Sequence, residues 1–199
     1  MIRSSKDNFL RAAIACAALA LAIPAGALAQ PEGTGGATYV PPPPPAKRAK
    51  IVNGIAIPPI GAPVRVKRAI AAANRIITKP YVYGGGHELY EKGVRASQVA
   101  LDSGYDCSGT VSFALYGGRF LKSPLDSSSF MKWGRRGKGR WITVYTNHGH
   151  AYVVIGGLRL DTSGGDRLSA EDRSGGRGPR WRKYRRSPAG FTARHPVGY

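Results

Sequence analysis

The sequence predicts an α+β domain in which N-terminal helices pack on an antiparallel β-sheet. Apolar residues recur at helical spacing over 66–77 and again from Cys107 to Leu115. Apolar runs at 141–145, 151–155 and 158–162 then read as strands. Gly156-Gly157 joins the last two as a two-residue hairpin turn, which makes those neighbours antiparallel.

Residues 1–29 have the build of a signal peptide. Arg3, Lys6 and Arg11 form a basic start, residues 12–22 an apolar centre, and Ala27-Leu28-Ala29 a small-x-small cleavage pattern before Gln30. The apolar centre is too short and alanine-rich for a membrane span, so no stable membrane insertion is expected after cleavage. Cys16 lies too early in the leader for a lipid attachment site. Residues 30–61 read as a Pro/Gly-rich linker. They hold Gly33, Gly35 and Gly36, five prolines at 41–45 that form a stiff polyproline spacer, and a basic Lys47-Arg48-Ala49-Lys50 run. A short ordered piece is allowed at 51–60. Residues 62–199 are then one domain, long enough for a core of its own.

Within that domain Val66, Ile70, Ala73 and Ile77 share one helical face, with Pro63 suited to the first turn and Pro80 as a stop. Residues 81–83 read as an extended segment that enters Gly84-Gly85-Gly86. Such glycines let a backbone pass close to another group. The strand, loop and helix of a phosphate loop, with its lysine, do not follow here, which argues against a nucleotide site. Residues 87–102 are an irregular connection. The next helix starts at Asp106 or Cys107 and runs to about Tyr116, with Gly117-Gly118 closing it. Cys107, Val111 and Leu115 lie on one face of it.

The Gly-Gly turn also fixes a register. Ile155 faces Leu158, Val153 faces Leu160, and Tyr152 faces Asp161. The apolar residues then share one face of the hairpin, while His150, Tyr152 and Asp161 share the other, with His150 and Asp161 as diagonal neighbours. A slip by one residue would drive Asp161 among the apolar side chains. Residues 164–186 read as a long loop, and 190–196 as a terminal edge strand through Phe191.

Lys and Arg total 30 against 11 Asp and Glu, a net charge of +19. The leader carries +2 of it, which leaves +17 on the exported chain. A chain so charged associates with polyanions. Export turns that expectation from nucleic acid towards peptidoglycan and other anionic cell-wall polymers. No nucleic-acid reading motif is present, so no specific nucleic acid is expected. A secreted or cell-envelope monomer is the expectation.

Removal of the leader leaves Cys107 as the one thiol, with no partner for an internal disulfide. At a helix start it meets unsatisfied N–H groups and the positive end of the helix dipole, which favour thiolate. A nearby imidazole would take the thiol proton and later protonate a leaving amine. A carboxylate would orient that imidazole. Cys107, His150 and Asp161 supply these three parts. Each also has a plainer reading: a small buried side chain for Cys107, a structural histidine for His150, and a turn-flanking acid for Asp161. Cys107, His148 and His150 lack the tight ligand pairs of a zinc site, so no metal and no cofactor is expected. No Gly-x-Ser-x-Gly motif offers a serine nucleophile.

Pro80-Tyr81-Val82-Tyr83-Gly84-Gly85, Asp106-Cys107-Ser108-Gly109, and His150 opening an apolar strand together resemble NlpC/P60 cysteine peptidases. The resemblance spans roughly residues 63–164. It implies a papain-like α+β domain that cuts peptidoglycan stem peptides, typically between D-glutamate and a diamino acid. It implies Cys107 as nucleophile, His150 as base and Asp161 in the third polar position. Tyr81 matches a tyrosine lining the substrate cleft, and Asp106 and Ser108 flank the nucleophile as substrate-contact candidates. Departures are visible. The third position is commonly histidine in that family, and the strand before His150 lacks a Pro-Gly-Asp signature. Residues 123–129 match only loosely. A thiol amidase or acyltransferase, or a catalytically silent wall-binding protein, would share most of these features.

Overall fold

The computed structural model describes residues 48–90, 93–163, 178–183 and 186–199. The leader and the proline run lie outside the described residues, as does most of the glycine- and arginine-rich stretch after Ser163. The described part has few helices and antiparallel sheets, an α+β arrangement.

It opens with a hairpin in the stretch read as linker, β1 (Lys50–Val52) and β2 (Ile55–Ile57). Asn53-Gly54 forms the turn, with φ of 48° and 78°. Asn-Gly is the pair that tolerates two successive left-handed residues, as a tight hairpin requires. The hairpin belongs to the core, since Ala49 and Ala56 are buried. The Ala49 N–H also donates to the Gly156 carbonyl at 2.8 Å.

Helix α1 (Val64–Asn74) follows Pro63 and buries Val66, Ala69, Ile70 and Ala73 on one stripe. It stops short of Ile77. Arg75 and Ile76 donate instead to carbonyls three residues back, a tightened end that still buries Ile76 and Ile77. Asn74 fixes this end. Its Nδ2 donates to the Ala56 carbonyl at 2.9 Å, while its Oδ1 accepts from the Ala56 N–H at 3.0 Å and the Trp181 indole at 2.7 Å.

Helix α2 (Cys107–Gly117) is buried nearly all round, from Ser108 to Tyr116. It packs against α1 on one side and the sheet on the other. A helix with that environment needs no polar face; Ser108 and Thr110 hydrogen-bond locally to Asp106, and Ser112 donates to the Leu125 carbonyl. A short α3 (Ser127–Phe130) is capped by Asp126 and buries Phe130.

The main sheet has the order β3-β8-β4-β5-β6-β7. It comprises β3 (Arg135–Arg136), β4 (Ile142–Thr146), β5 (Ala151–Ile155), β6 (Leu158–Asp161), β7 (Arg180–Arg182) and β8 (Thr192–His195). All its pairings are antiparallel. Val153 faces Leu160 and Ile155 faces Leu158, the register that the apolar pattern requires. Gly156 and Gly157 take φ of 58° and 84° in the turn. Ile142, Val144, Val153, Ile155 and Leu160 enter the core. Two expectations change. Residues 180–182 are a strand on β6 rather than loop, because Trp181 enters the core opposite Leu160. Strand β8 is not an edge, because β3 pairs on its outer side.

Candidate active site

Three segments converge on the first turn of α2. The extended stretch after Pro80 lies against residues 104–106. The Tyr105 N–H donates to the Pro80 carbonyl at 3.0 Å, and the Asp106 N–H to the Gly85 carbonyl at 3.0 Å. Glycines make this approach possible. A Cβ on Gly109 would stand 2.1 Å from the Gly85 oxygen, and one on Gly85 would stand 2.4 Å from the Gly104 oxygen. The sequence pattern Gly84-Gly85-Gly86 thus has a packing purpose: it brings residues 80–86 against the helix that carries Cys107.

Asp106 is the N-cap of α2 and the junction of this region. Its Oδ1 accepts from the Gly109 N–H at 2.7 Å and from Ser108 Oγ at 3.1 Å, and lies 3.0 Å from His87 Nε2. Its Oδ2 accepts from the Gly84 N–H at 3.1 Å. Burial opposes its ionisation, but the bonds from His87 and Gly109 outweigh it and hold its pKa below the usual value. His87 answers in kind: its hydrogen bond to Asp106 raises its pKa. Asp106 and Ser108 are buried. Their polar groups are engaged inside the protein, which places them as a support for the thiol's helix rather than on an open surface. Sequence reasoning missed His87, which falls in the irregular stretch after the glycines and has no periodic signal to mark it.

His150 sits at the entrance to β5. The preceding turn is closed by Asn147, whose Oδ1 accepts from the N–H groups of Gly149 and His150 at 3.0 and 2.9 Å. His150 Nε2 lies 2.9 Å from Asp161 Oδ1. The Cys107 thiol neighbours the same imidazole and contributes to its raised pKa. With Nε2 occupied by Asp161, Nδ1 is the nitrogen left for the thiol. Burial penalises the imidazolium, but the hydrogen bonds with Asp161 and Cys107 prevail and raise the pKa of His150 to about 9. The structure therefore brings together Cys107, His150 and Asp161.

Asp161 is 1% exposed. It accepts from the Ser163 N–H at 2.8 Å, and Arg159 Nε and Arg186 Nη1 each lie 3.4 Å from its Oδ2. Burial would raise its pKa, yet His150, Ser163 and Arg159 bring it below the ordinary carboxylate value. Arg186 also lies over the rings of Tyr152 and Phe191, at 5.7 and 5.2 Å from their centroids. Phe191 meets His150 edge-on at 6.2 Å. Both residues close the outer face over the His150–Asp161 pair. Neither was legible, since each comes from a distant part of the chain.

Tyr81 is 41% exposed and within electrostatic reach of Cys107. Partial burial, then negative charge on Cys107 and Asp106, raises its pKa, so its hydroxyl stays a donor. The Gly109 N–H is taken by Asp106 Oδ1, and the Thr110 N–H by the Asp106 carbonyl at 3.0 Å. The N–H groups of Cys107 and Ser108 remain as the first-turn donors nearest the thiol. His148 is turned away from this centre, its Nδ1 lying 3.1 Å from Ser128 Oγ. Among the described residues, no cluster of three or more His, Cys, Asp or Glu is placed to hold a metal ion. No helix among them is long and apolar enough to cross a membrane.

Comparison of the chain with protein-family models, curated proteins and solved structures returns no match.

Proposed function

We propose that this chain is an exported thiol hydrolase with a papain-like domain, similar to NlpC/P60 peptidases, that cuts amide bonds in peptidoglycan stem peptides. The observation that carries the reading is the convergence of Cys107, His150 and Asp161: the imidazole lies 2.9 Å from a buried carboxylate, and the Cys107 thiol is among the neighbours that raise its pKa. This is the arrangement nucleophilic acyl transfer needs.

In this mechanism the Cys107 sulfur gives its proton to His150 and attacks the scissile carbonyl carbon. The oxyanion that forms is stabilised by the N–H groups of Cys107 and Ser108 and by the Tyr81 hydroxyl. Collapse breaks the C–N bond. His150 returns its proton to the departing amine, and a thioester remains on Cys107. The neutral imidazole then takes a proton from water, which attacks the thioester and releases the acid. Asp161 stays ionised throughout and holds the ring. All the chemistry is supplied by side chains and backbone, without a cofactor. The stem-peptide substrate, with the D-glutamyl–diamino acid bond as the cut, rests on the resemblance in residues 80–85 and 106–109. The net charge of +17 left after removal of the leader would keep the protein on anionic wall material in the cell envelope.

The test is digestion of purified peptidoglycan by wild type and Cys107→Ala, with the released products identified by mass. Wild type should release peptides cut at one amide position. Cys107→Ala should release them at least about a thousandfold more slowly. Equal release by the two proteins would overturn the reading, and products cut elsewhere would redirect it to a different amide or acyl-transfer reaction.

A further inference from the structure

Helix α2 is roughly 16 Å long, and only its first turn serves the thiol. Tyr116 and Gly117 at its other end help wall a cavity of about 740 Å³. Its lining includes Ala71 and Ala72 of α1, Ala96, Leu121 and the rings of Tyr90 and Tyr116. The two rings stack at 3.9 Å with an interplanar angle of 18°. Tyr90 Oη is buried and has no hydrogen-bond partner among the described residues.

The rim is cationic. Arg68, Arg95, Arg119 and Lys122 stand around it, all exposed, and no Asp or Glu is among the described lining residues. Arg75, also in the lining, is committed to the carbonyls of Ala96 and Val99, where it ties down the segment that closes one side. Arg95 shares its Nε with Gln98. Arg119 has φ of 59°, an uncommon conformation for a residue with a side chain, and Arg65 holds it by donating to its carbonyl. Arg68, Arg119 and Lys122 take part in no salt bridge among the described residues.

An apolar recess with a guanidinium and ammonium rim matches one ligand chemistry, a hydrocarbon chain that ends in an anion. We propose that this cavity binds an anionic phospholipid, with an acyl chain against Tyr90, Tyr116 and Leu121 and the phosphate at Arg68, Arg119 and Lys122. The volume falls within the roughly 300–1,000 Å³ of small-molecule sites. The proposal is independent of the hydrolase reading, because this site lies at the opposite end of α2 from Cys107.

The test uses the purified full-length protein, with dodecyl phosphate below its micelle concentration as the probe and calorimetry as the readout. Dodecyl maltoside supplies the chain without the charge, and inorganic phosphate the charge without the chain. Dodecyl phosphate should bind one-to-one and at least about tenfold more tightly than either control. A cationic protein attracts any anion, so the deciding variant keeps the charge. Ala71 is exposed on the cavity wall, and Ala71→Trp should fill the recess and weaken dodecyl phosphate binding at least about tenfold. The double variant Arg68→Glu/Lys122→Glu, both at exposed positions, should do the same without touching the recess. Neither change should alter peptide release from peptidoglycan. Undiminished binding by folded Ala71→Trp, equal binding of the maltoside, or equal binding of inorganic phosphate would each overturn the proposal, as would no binding of dodecyl phosphate.

Discussion

His150 gains its raised pKa from one neighbour that is buried, Asp161, and one that is partly exposed, Cys107. Asp161→Asn separates the two contributions: it keeps a hydrogen-bonding oxygen and removes the charge. The imidazole pKa should then fall from about 9 towards 6.5, readable by NMR titration, and peptide release should drop about a hundredfold or more. Stability carries the same signature. A histidine whose folded pKa is raised stabilises the protein fully below its unfolded pKa of 6.5, and loses that contribution as pH rises through about 9. The urea midpoint of wild type relative to Asp161→Asn should therefore shrink across that window. A difference that is flat from pH 6.5 to 9 would contradict the ion-pair account. Asp106 has the other sign. Its depressed pKa stabilises the fold above about 3.8, and the contribution is lost as pH falls below that value. Because Asp106 caps α2 and also holds Gly84, Ser108 and His87, Asp106→Ala should cost about 2–4 kcal/mol in denaturant unfolding.

At the scale of elements, the contact between residues 80–86 and the start of α2 depends on the absence of side chains. Gly109→Ala places a carbon 2.1 Å from the Gly85 oxygen, a backbone atom. One segment must move, at about 1–3 kcal/mol. Alkylation of Cys107 by iodoacetamide should slow at least about tenfold if the thiol loses its place beside His150. What the sequence made legible follows the same division between local and distant causes. The register of β5 on β6 was readable because Gly156-Gly157 fixes the turn and the apolar alternation forbids a slip. The start of α2 was readable because Asp106 is a capping residue before an apolar run. The β1–β2 hairpin falls where a short ordered piece was allowed at 51–60, with Asn53-Gly54 as its local signal, but the surrounding proline and basic residues gave no sign that it joins the core. Strand β7 carries Arg180 and Arg182 on either side of one tryptophan, and all three of its residues pair with β6, so it forms only because β6 is there. His87, Arg186 and Phe191 reach the site through tertiary packing, which no local pattern encodes.

Across the whole molecule, α2 is the shared wall of two regions with different chemistry. Its first turn holds a thiol among hydrogen-bonding groups, and its last turn holds an aromatic recess under a cationic rim. The buried stripe between them, Val111, Ala114 and Leu115, belongs to the main core.

Asn74 gives that assembly a latch that turns on a single atom. Replacement of its amide nitrogen by oxygen alters the side chain with almost no change in shape. The Trp181 indole would keep its acceptor, because it bonds Oδ1. The Ala56 carbonyl, which now receives a proton from Nδ2 at 2.9 Å, would instead face a carboxylate oxygen. The Ala56 N–H would keep its acceptor on Oδ1, so the first hairpin would hold to α1 by one hydrogen bond instead of two, while β7 stays attached. Asn74→Asp makes that replacement directly. It should lower stability by about 1–3 kcal/mol and speed hydrogen exchange at the Ala56 amide ahead of the amides of β5 and β6.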